Sequence, residues 1–279
     1  MRHHPSMPRP RLSCVCCAAI IAAIATPVHA DLPGEALAAA KKATSFLVEQ
    51  VSTEGGYLWR YSADLKHREG EGVVETSTVW VQPPGTPAVG QAFVQLFQAT
   101  GDRQFLDAAR AAAESLRRGQ MQSGGWQAMV EFEPERRRRW AYRVDPAGSK
   151  AKDQSSLDDD KTQSALRFLI QLDRALEFKD ESIHEMTHYG FQLQSNVPQL
   201  RKKYERITRL TPKQLAESGA NRPPSPRVVQ EIIDRQDERG AWLSDEAMRY
   251  HRVPGPTINM DVAVEHLTTL AEYLAAVDQ

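Results

Sequence analysis

The stretch QATGDRQFLDAARAAAESL, Gln98 to Leu116, decides how the rest of the chain is read. Gly101 and Asp102 interrupt an apolar periodicity. Beyond them Phe105, Leu106, Ala109, Ala112, Ala113 and Leu116 recur at the i, i+3, i+4, i+7 spacing of one helix face. Two helices joined by so short a turn form an αα-hairpin. The same spacing recurs at Leu37, Ala40, Leu47, Val48 and Val51, and at Val89, Phe93, Leu96 and Phe97. It returns at Ala165, Leu166, Leu169, Leu172 and Leu176, and at Ala263, Leu267, Leu270 and Leu274. Gln199–Thr208 and Pro226–Gln236 are weaker helical candidates. Period-2 alternation is absent, so the expected fold class is all-α: an α/α toroid of helical hairpins, with long loops gathered at one end.

Composition sets limits on function. The chain has 279 residues, 41% hydrophobic and 25% charged, with a formal net charge of −1. These are ordinary globular values, with no charge excess directed at nucleic acid. Arg2, Arg9 and Arg11 precede an apolar run from Cys14 to Ala25 and a small-residue site at Val28-His29-Ala30. That layout predicts a secretory signal peptide over 1–30 and a single domain over 31–279, secreted or periplasmic, with no membrane attachment after cleavage. All three cysteines fall in the leader. The remaining residues, 32 basic against 36 acidic, have no thiol for a disulfide, nucleophile or metal site.

Three loops share a pattern: TEGGYLWRY (Thr53–Tyr61), QSGGWQAMV (Gln122–Val130) and ERGAWLSDE (Glu238–Glu246) each place glycine, then an aromatic residue, after a helix. Glycine there supplies a left-handed cap, and the aromatic returns the chain to the core. PAGSKAKDQSS (Pro146–Ser156) reads as a mobile polar loop tip.

Two constellations carry chemistry. Asp158, Asp159 and Asp160 stand directly before an apolar helix. One carboxylate is enough for an N-cap, whereas three adjacent ones repel, so the alternatives are a capped helix end and a cation site, for which Ca²⁺ is the natural occupant of carboxylate oxygens. The second is EFEPERRRRWAYR, Glu131 to Arg143. Guanidinium forks grip carboxylates in bidentate fashion and aromatics offer stacking faces, which suits an anionic sugar polymer; a solvated face balanced by Glu131, Glu133 and Glu135 is the alternative. His67, His184, His188, His251 and His266 are read as scattered structural histidines, and no zinc enzyme is expected.

GGYLWRYSADLKHREGEG, WVQPPGTPAVGQAFVQLFQATGDRQFLDAAR, SGGWQAMVEF and SSLDDDKTQSALRFL together resemble the bacterial pectic acid lyase (pectate lyase-like) proteins, which are similar to the family 10 polysaccharide lyases. Gly124-Gly125-Trp126-Gln127 matches that family's GGW-type turn, and Asp159 and Asp160 fall on the two acids of its helix start. The resemblance implies Ca²⁺-dependent β-elimination on polygalacturonate by a secreted enzyme, with an arginine as base. It places Ca²⁺ on Asp158, Asp159 and Asp160, the base at Arg139 or Arg143, and sugar contacts at Trp126, Arg138, Trp140 and Tyr142. Two departures stand out. A central block before THYGF is missing, and Lys161 occupies a position where the family has alanine. The competing expectation is a non-catalytic, shortened scaffold that binds carbohydrate or protein, with pectate or another uronic-acid polymer as partner.

Overall fold

A computed structural model describes residues 31–145, 150–194 and 223–277. The leader over 1–30, with its cysteines, and the helical candidate Gln199–Thr208 lie outside the described residues. Among the described residues eight α-helices run in chain order: α1 (Leu32–Phe46), α2 (Thr86–Thr100), α3 (Arg103–Gly119), α4 (Pro134–Arg137), α5 (Lys161–Ala175), α6 (Glu181–Gln194), α7 (Pro226–Asp234) and α8 (Met260–Val277). The hairpin of α2 and α3 turns where expected. Gly101 adopts φ +68° and donates its N–H to the Phe97 carbonyl at 2.7 Å, and the Asp102 carboxylate caps α3 by accepting from the Gln104 N–H at 2.9 Å.

The α2 helix is the hub and packs against α3, α5 and α8. Its sequence, TPAVGQAFVQLFQAT, is apolar around most of its circumference, as a helix surrounded by other helices must be. Gly90 sets the approach of α5: a side chain there would meet the Phe168 ring at 2.5 Å. The face anticipated for α3 is buried in full, whereas in the first helical segment Val48 is exposed and Ala36, Ala39, Ala43 and Phe46 join Ala40 in the core.

The all-α toroid is overturned. Among the described residues six strands, none longer than three residues, form a four-stranded antiparallel sheet in the order β2-β1-β6-β5 and a two-stranded pair, β3 with β4. They are β1 (Arg60–Ser62), β2 (Arg68–Glu69), β3 (Thr78–Trp80), β4 (Met129–Glu131), β5 (Leu243–Ser244) and β6 (Thr257–Asn259). Tyr61 lies opposite Ile258, and Thr78 opposite Glu131. The fold is therefore mixed, helices with two small sheets. Two or three residues cannot display an alternation, which is why no strand was legible.

The three glycine–aromatic loops precede three of these strands, and two of them are built alike. The Trp126 indole N–H donates to the Leu116 carbonyl at 2.8 Å, and that of Trp242 to the Ile232 carbonyl at 2.9 Å, each ten residues back. Gln120 and Gln236 donate amide hydrogens to the carbonyls of Gly124 and Gly240, each four residues on. Tyr57, Trp126 and Trp242 are all buried, and the two indoles each pin a helix end to the start of a strand. The expected glycine caps are not helix caps: Ser52, Gln120 and Arg235 hold the C-cap positions, and Gly55, Gly124 and Gly240 turn the loops beyond them at positive φ.

His266, on α8, is enclosed edge-on by Trp242 at 4.9 Å between ring centroids, and its Nδ1 has no hydrogen-bond partner. Burial, with Arg235 adding to it, pushes its pKa from 6.5 down to about 4. The unfolded chain therefore takes up a proton that the folded one refuses. Stability from this group is whole above pH 6.5 and drains as pH falls from 6.5 toward 4. The melting temperature is expected to fall across that window, and the fall should be shallower in His266→Gln; an equal slope in both proteins, measured by circular dichroism, would contradict this.

Candidate functional site

The two motifs singled out in sequence, some thirty residues apart, meet in space. The N–H of Gly125 donates to Ser155 Oγ at 2.7 Å, and that of Trp126 to Thr162 Oγ1 at 3.0 Å. Ser156 returns its own N–H to the Trp126 carbonyl at 2.9 Å. Ser123 adds an N–H to Asp153 Oδ1 at 2.7 Å. Gly125 is obligatory, because a Cβ there would stand 2.7 Å from both Ser155 and Thr162. The expected mobile tip is thus tied down over its described part: the carbonyl of Lys152 accepts from the Ala141 N–H, and its N–H donates to the Arg139 carbonyl.

The three aspartates do not serve as the side-chain cap of α5. Asp159 and Asp160 both adopt left-handed backbone angles, φ +48° and +61°, which aspartate tolerates better than most residues. Asp160 occupies the N-cap position, yet its side chain makes no capping bond. The acids are balanced from within. Lys161 Nζ lies 3.3 Å from Asp159 and 4.0 Å from Asp158, and Arg167 grips both oxygens of Asp160. Lys161 is 11% exposed and Asp158 84%, so the ammonium sits inside and the outermost carboxylate in water.

Ca²⁺ requires several oxygens converging on one point at 2.3–2.6 Å. Here an ammonium lies beside two of the carboxylates and a guanidinium clamps the third. Among the described residues no group of three or more His, Cys, Asp or Glu side chains converges in that way. The three aspartates as placed do not fit the ion.

The arginine run is divided between interior and surface. Arg137 is buried, donates to Asp145 and to the carbonyls of Glu131 and Arg118, and lies 4.3 Å from the Tyr142 ring. Arg136 pairs with Glu131 at 3.1 Å and with Ser77 Oγ at 2.7 Å. Arg138 and Arg139 are exposed, Arg138 pairing with Glu135 at 3.0 Å. Trp140 is half-buried beside Lys152, to which its backbone is bridged. Among the described residues no ion pair joins Arg136–Arg143 to Asp158–Asp160.

Three anticipated contacts are used up by the fold. Trp126 is fully buried, so neither ring face is open to a sugar. Tyr142 is buried too; its hydroxyl oxygen accepts from the Glu131 N–H at 3.1 Å, and burial pushes its pKa up to about 12. Arg143 makes two hydrogen bonds to Glu185, at 2.6 and 2.8 Å, and lies over the Tyr189 ring at 4.4 Å. The Glu185 partner holds the guanidinium above its ordinary pKa, the wrong direction for a base. Of the candidate base and sugar-contact residues, Arg138 and Arg139 are exposed and Trp140 is half-buried.

Two constellations escape the sequence reading. Glu69 is buried, and its carboxylate accepts from the backbone N–H groups of Arg249, Tyr250 and His251 at 2.8, 2.9 and 3.3 Å, lacing β2 to a loop some 180 residues later. No local pattern announces it. The other has a signal in plain view: His184-Glu185-Met186-Thr187-His188 carries the H-E-x-x-H spacing, and α6 sets both imidazoles on one side, exposed. The reading of scattered histidines is corrected there.

Comparison with known proteins gives no matching family model, no matching characterised protein and no matching solved structure.

Trp126→Ala removes a buried ring and the indole bond to Leu116; a loss of about 3–5 kcal/mol in unfolding free energy is expected by chemical denaturation. A Ca²⁺ titration by calorimetry is expected to give no saturable heat at the triplet. Saturable heat in the wild type, lost in Asp159→Ala/Asp160→Ala, would restore the cation reading.

Proposed function

We propose that this is a pectate lyase-like protein of the exported class that binds polygalacturonate-type anionic polysaccharide without cleaving it. The observation that carries the reading is the basic edge beside the joined motifs. Arg138, Arg139 and Lys152 are exposed next to half-buried Trp140, on the strand of chain whose partner segment leads through Asp153 to the glycine–tryptophan turn. Uronate carboxylates repeat along a polymer, so separated guanidinium and ammonium groups gain by engaging several at once, and an indole face beside them supports sugar packing. Arg139 has no carboxylate partner among the ion pairs of the described residues, which leaves its fork free for a ligand.

Binding is favoured over β-elimination because that reaction needs a base and a group to stabilise the enolate-like charge. Arg143 is committed to Glu185, and the aspartates are committed to Lys161 and Arg167. Secretion rests on the leader pattern of 1–30; within the described residues no helix is long and apolar enough to cross a membrane.

Affinity electrophoresis in a polygalacturonate gel tests the proposal. The wild type is expected to be retarded, with or without a chelator, and Arg138→Ala/Arg139→Ala to run as in a gel without polymer. The absorbance of unsaturated uronides should stay flat in the same mixture. Mobility unaffected by the polymer would overturn the binding reading, and rising absorbance would overturn the non-catalytic one.

A further inference from the structure

The turn between α5 and α6 brings three side chains together. The Phe178 N–H bonds to the Asp173 carbonyl at 2.9 Å, so the chain reverses tightly and α6 begins at Glu181 against the end of α5. Asp173 is buried and points across this junction. Its Oδ2 lies 2.8 Å from His184 Nδ1, while its Oδ1 is buried with no hydrogen-bond partner. An ionised carboxylate can only accept, so Nδ1 of His184 is the donor in this pair, and in the neutral imidazole that tautomer leaves the Nε2 lone pair open to a ligand. One turn on, the His188 ring stacks on that of His184, 5.9 Å between centroids and 28° between planes. Both rings are exposed.

Two imidazoles at i and i+4 on a helix are spaced to chelate one ion, and imidazole suits cations such as Zn²⁺, Ni²⁺ or Cu²⁺, not Ca²⁺ or Mg²⁺. A carboxylate behind a ligating histidine fixes its tautomer and orientation. We infer that His184 and His188 form a two-imidazole site for a divalent transition-metal cation, oriented by Asp173. Water fills the remaining coordination positions.

Glu185 completes the H-E-x-x-H spacing but not the hydrolytic chemistry associated with it. Its carboxylate is taken by both Nη groups of Arg143, at 2.6 and 2.8 Å. A general base for metal-bound water needs a free carboxylate within reach of that water. The site binds metal and does not turn it to hydrolysis.

Zinc titration by calorimetry, paired with the visible absorption of Co²⁺ at the same site, tests this on the full chain with Cys14, Cys16 and Cys17 changed to Ser so that no thiol competes. That protein is expected to bind one ion more than its His184→Ala/His188→Ala derivative. Both rings are exposed, so the derivative should fold, which far-ultraviolet circular dichroism checks. Asp173→Asn is expected to weaken binding about 10–100-fold, and Glu185→Gln to leave it unchanged. Should Asp173→Asn not fold, His184→Ala alone supplies the comparison, with loss of chelation expected. Equal ion counts and affinities with and without the two histidines would overturn the inference, as would no zinc binding at all.

Discussion

The indole N–H of Trp126, donated to the Leu116 carbonyl inside the core, is the bond on which the surrounding architecture depends. The end of a helix leaves carbonyls without partners, and burying one unpaired is costly. Here a side chain from the following loop supplies the donor and fills the volume as well. Once the ring is seated, Gly125 must lie flush against Ser155 and Thr162, which fixes where α5 begins. Phe168 then meets α2 at Gly90, so the hub helix and the polar surface share one register. Trp242 repeats the device at the end of α7, where its ring also shields His266 from water.

Charge is managed locally throughout this surface. Every cluster that looked excessive in the linear chain meets opposite charges within a few residues: Asp158–Asp160 with Lys161 and Arg167, Arg136 with Glu131, Arg138 with Glu135. The exposed pair Arg138–Glu135 contributes little stability, about 0–1 kcal/mol. The effect of these pairs is on which groups stay available. Arg139 and Lys152 on the basic edge and the imidazole pair on α6 are without such neutralisation among the ion pairs of the described residues, His184 apart, which faces Asp173. Their chemistry differs: guanidinium and ammonium groups in the first, stacked imidazoles in the second.

Much of the helical framework was legible, because a 3.6-residue period persists over many residues and a core face cannot hide in it. The α2–α3 hairpin, the buried face of α3 and the glycine–aromatic loops are all readable in the linear chain. The strands are not, at two or three residues each. Their pairing with chain far away turned an expected ring of helices into a mixed fold. The site was legible only as separate motifs. That the glycine–tryptophan turn meets the aspartate helix start is shown by the folded chain alone, and so are the roles of Trp126 and Tyr142, since an aromatic suited to stacking on sugar is equally suited to a core. His184 and His188 stand at a metal-binding spacing in the sequence, but their orienting partner Asp173 becomes visible only in the folded chain.

By itself the sequence determined where α1, α2, α3, α5, α7 and α8 run and that opposite charges are crowded near residues 131–167. Those properties come from local geometry and from the chemistry of neighbours in the chain. Only the tertiary structure decided which charges are spent on each other and which face water. Ion pairing and burial depend on distances of a few ångströms between segments that the linear order does not constrain. Lys161 illustrates the division: its place after three aspartates is a fact of sequence. That its ammonium lies inward, nearest to Asp159, is a consequence of how α5 is seated against the turn that carries Trp126.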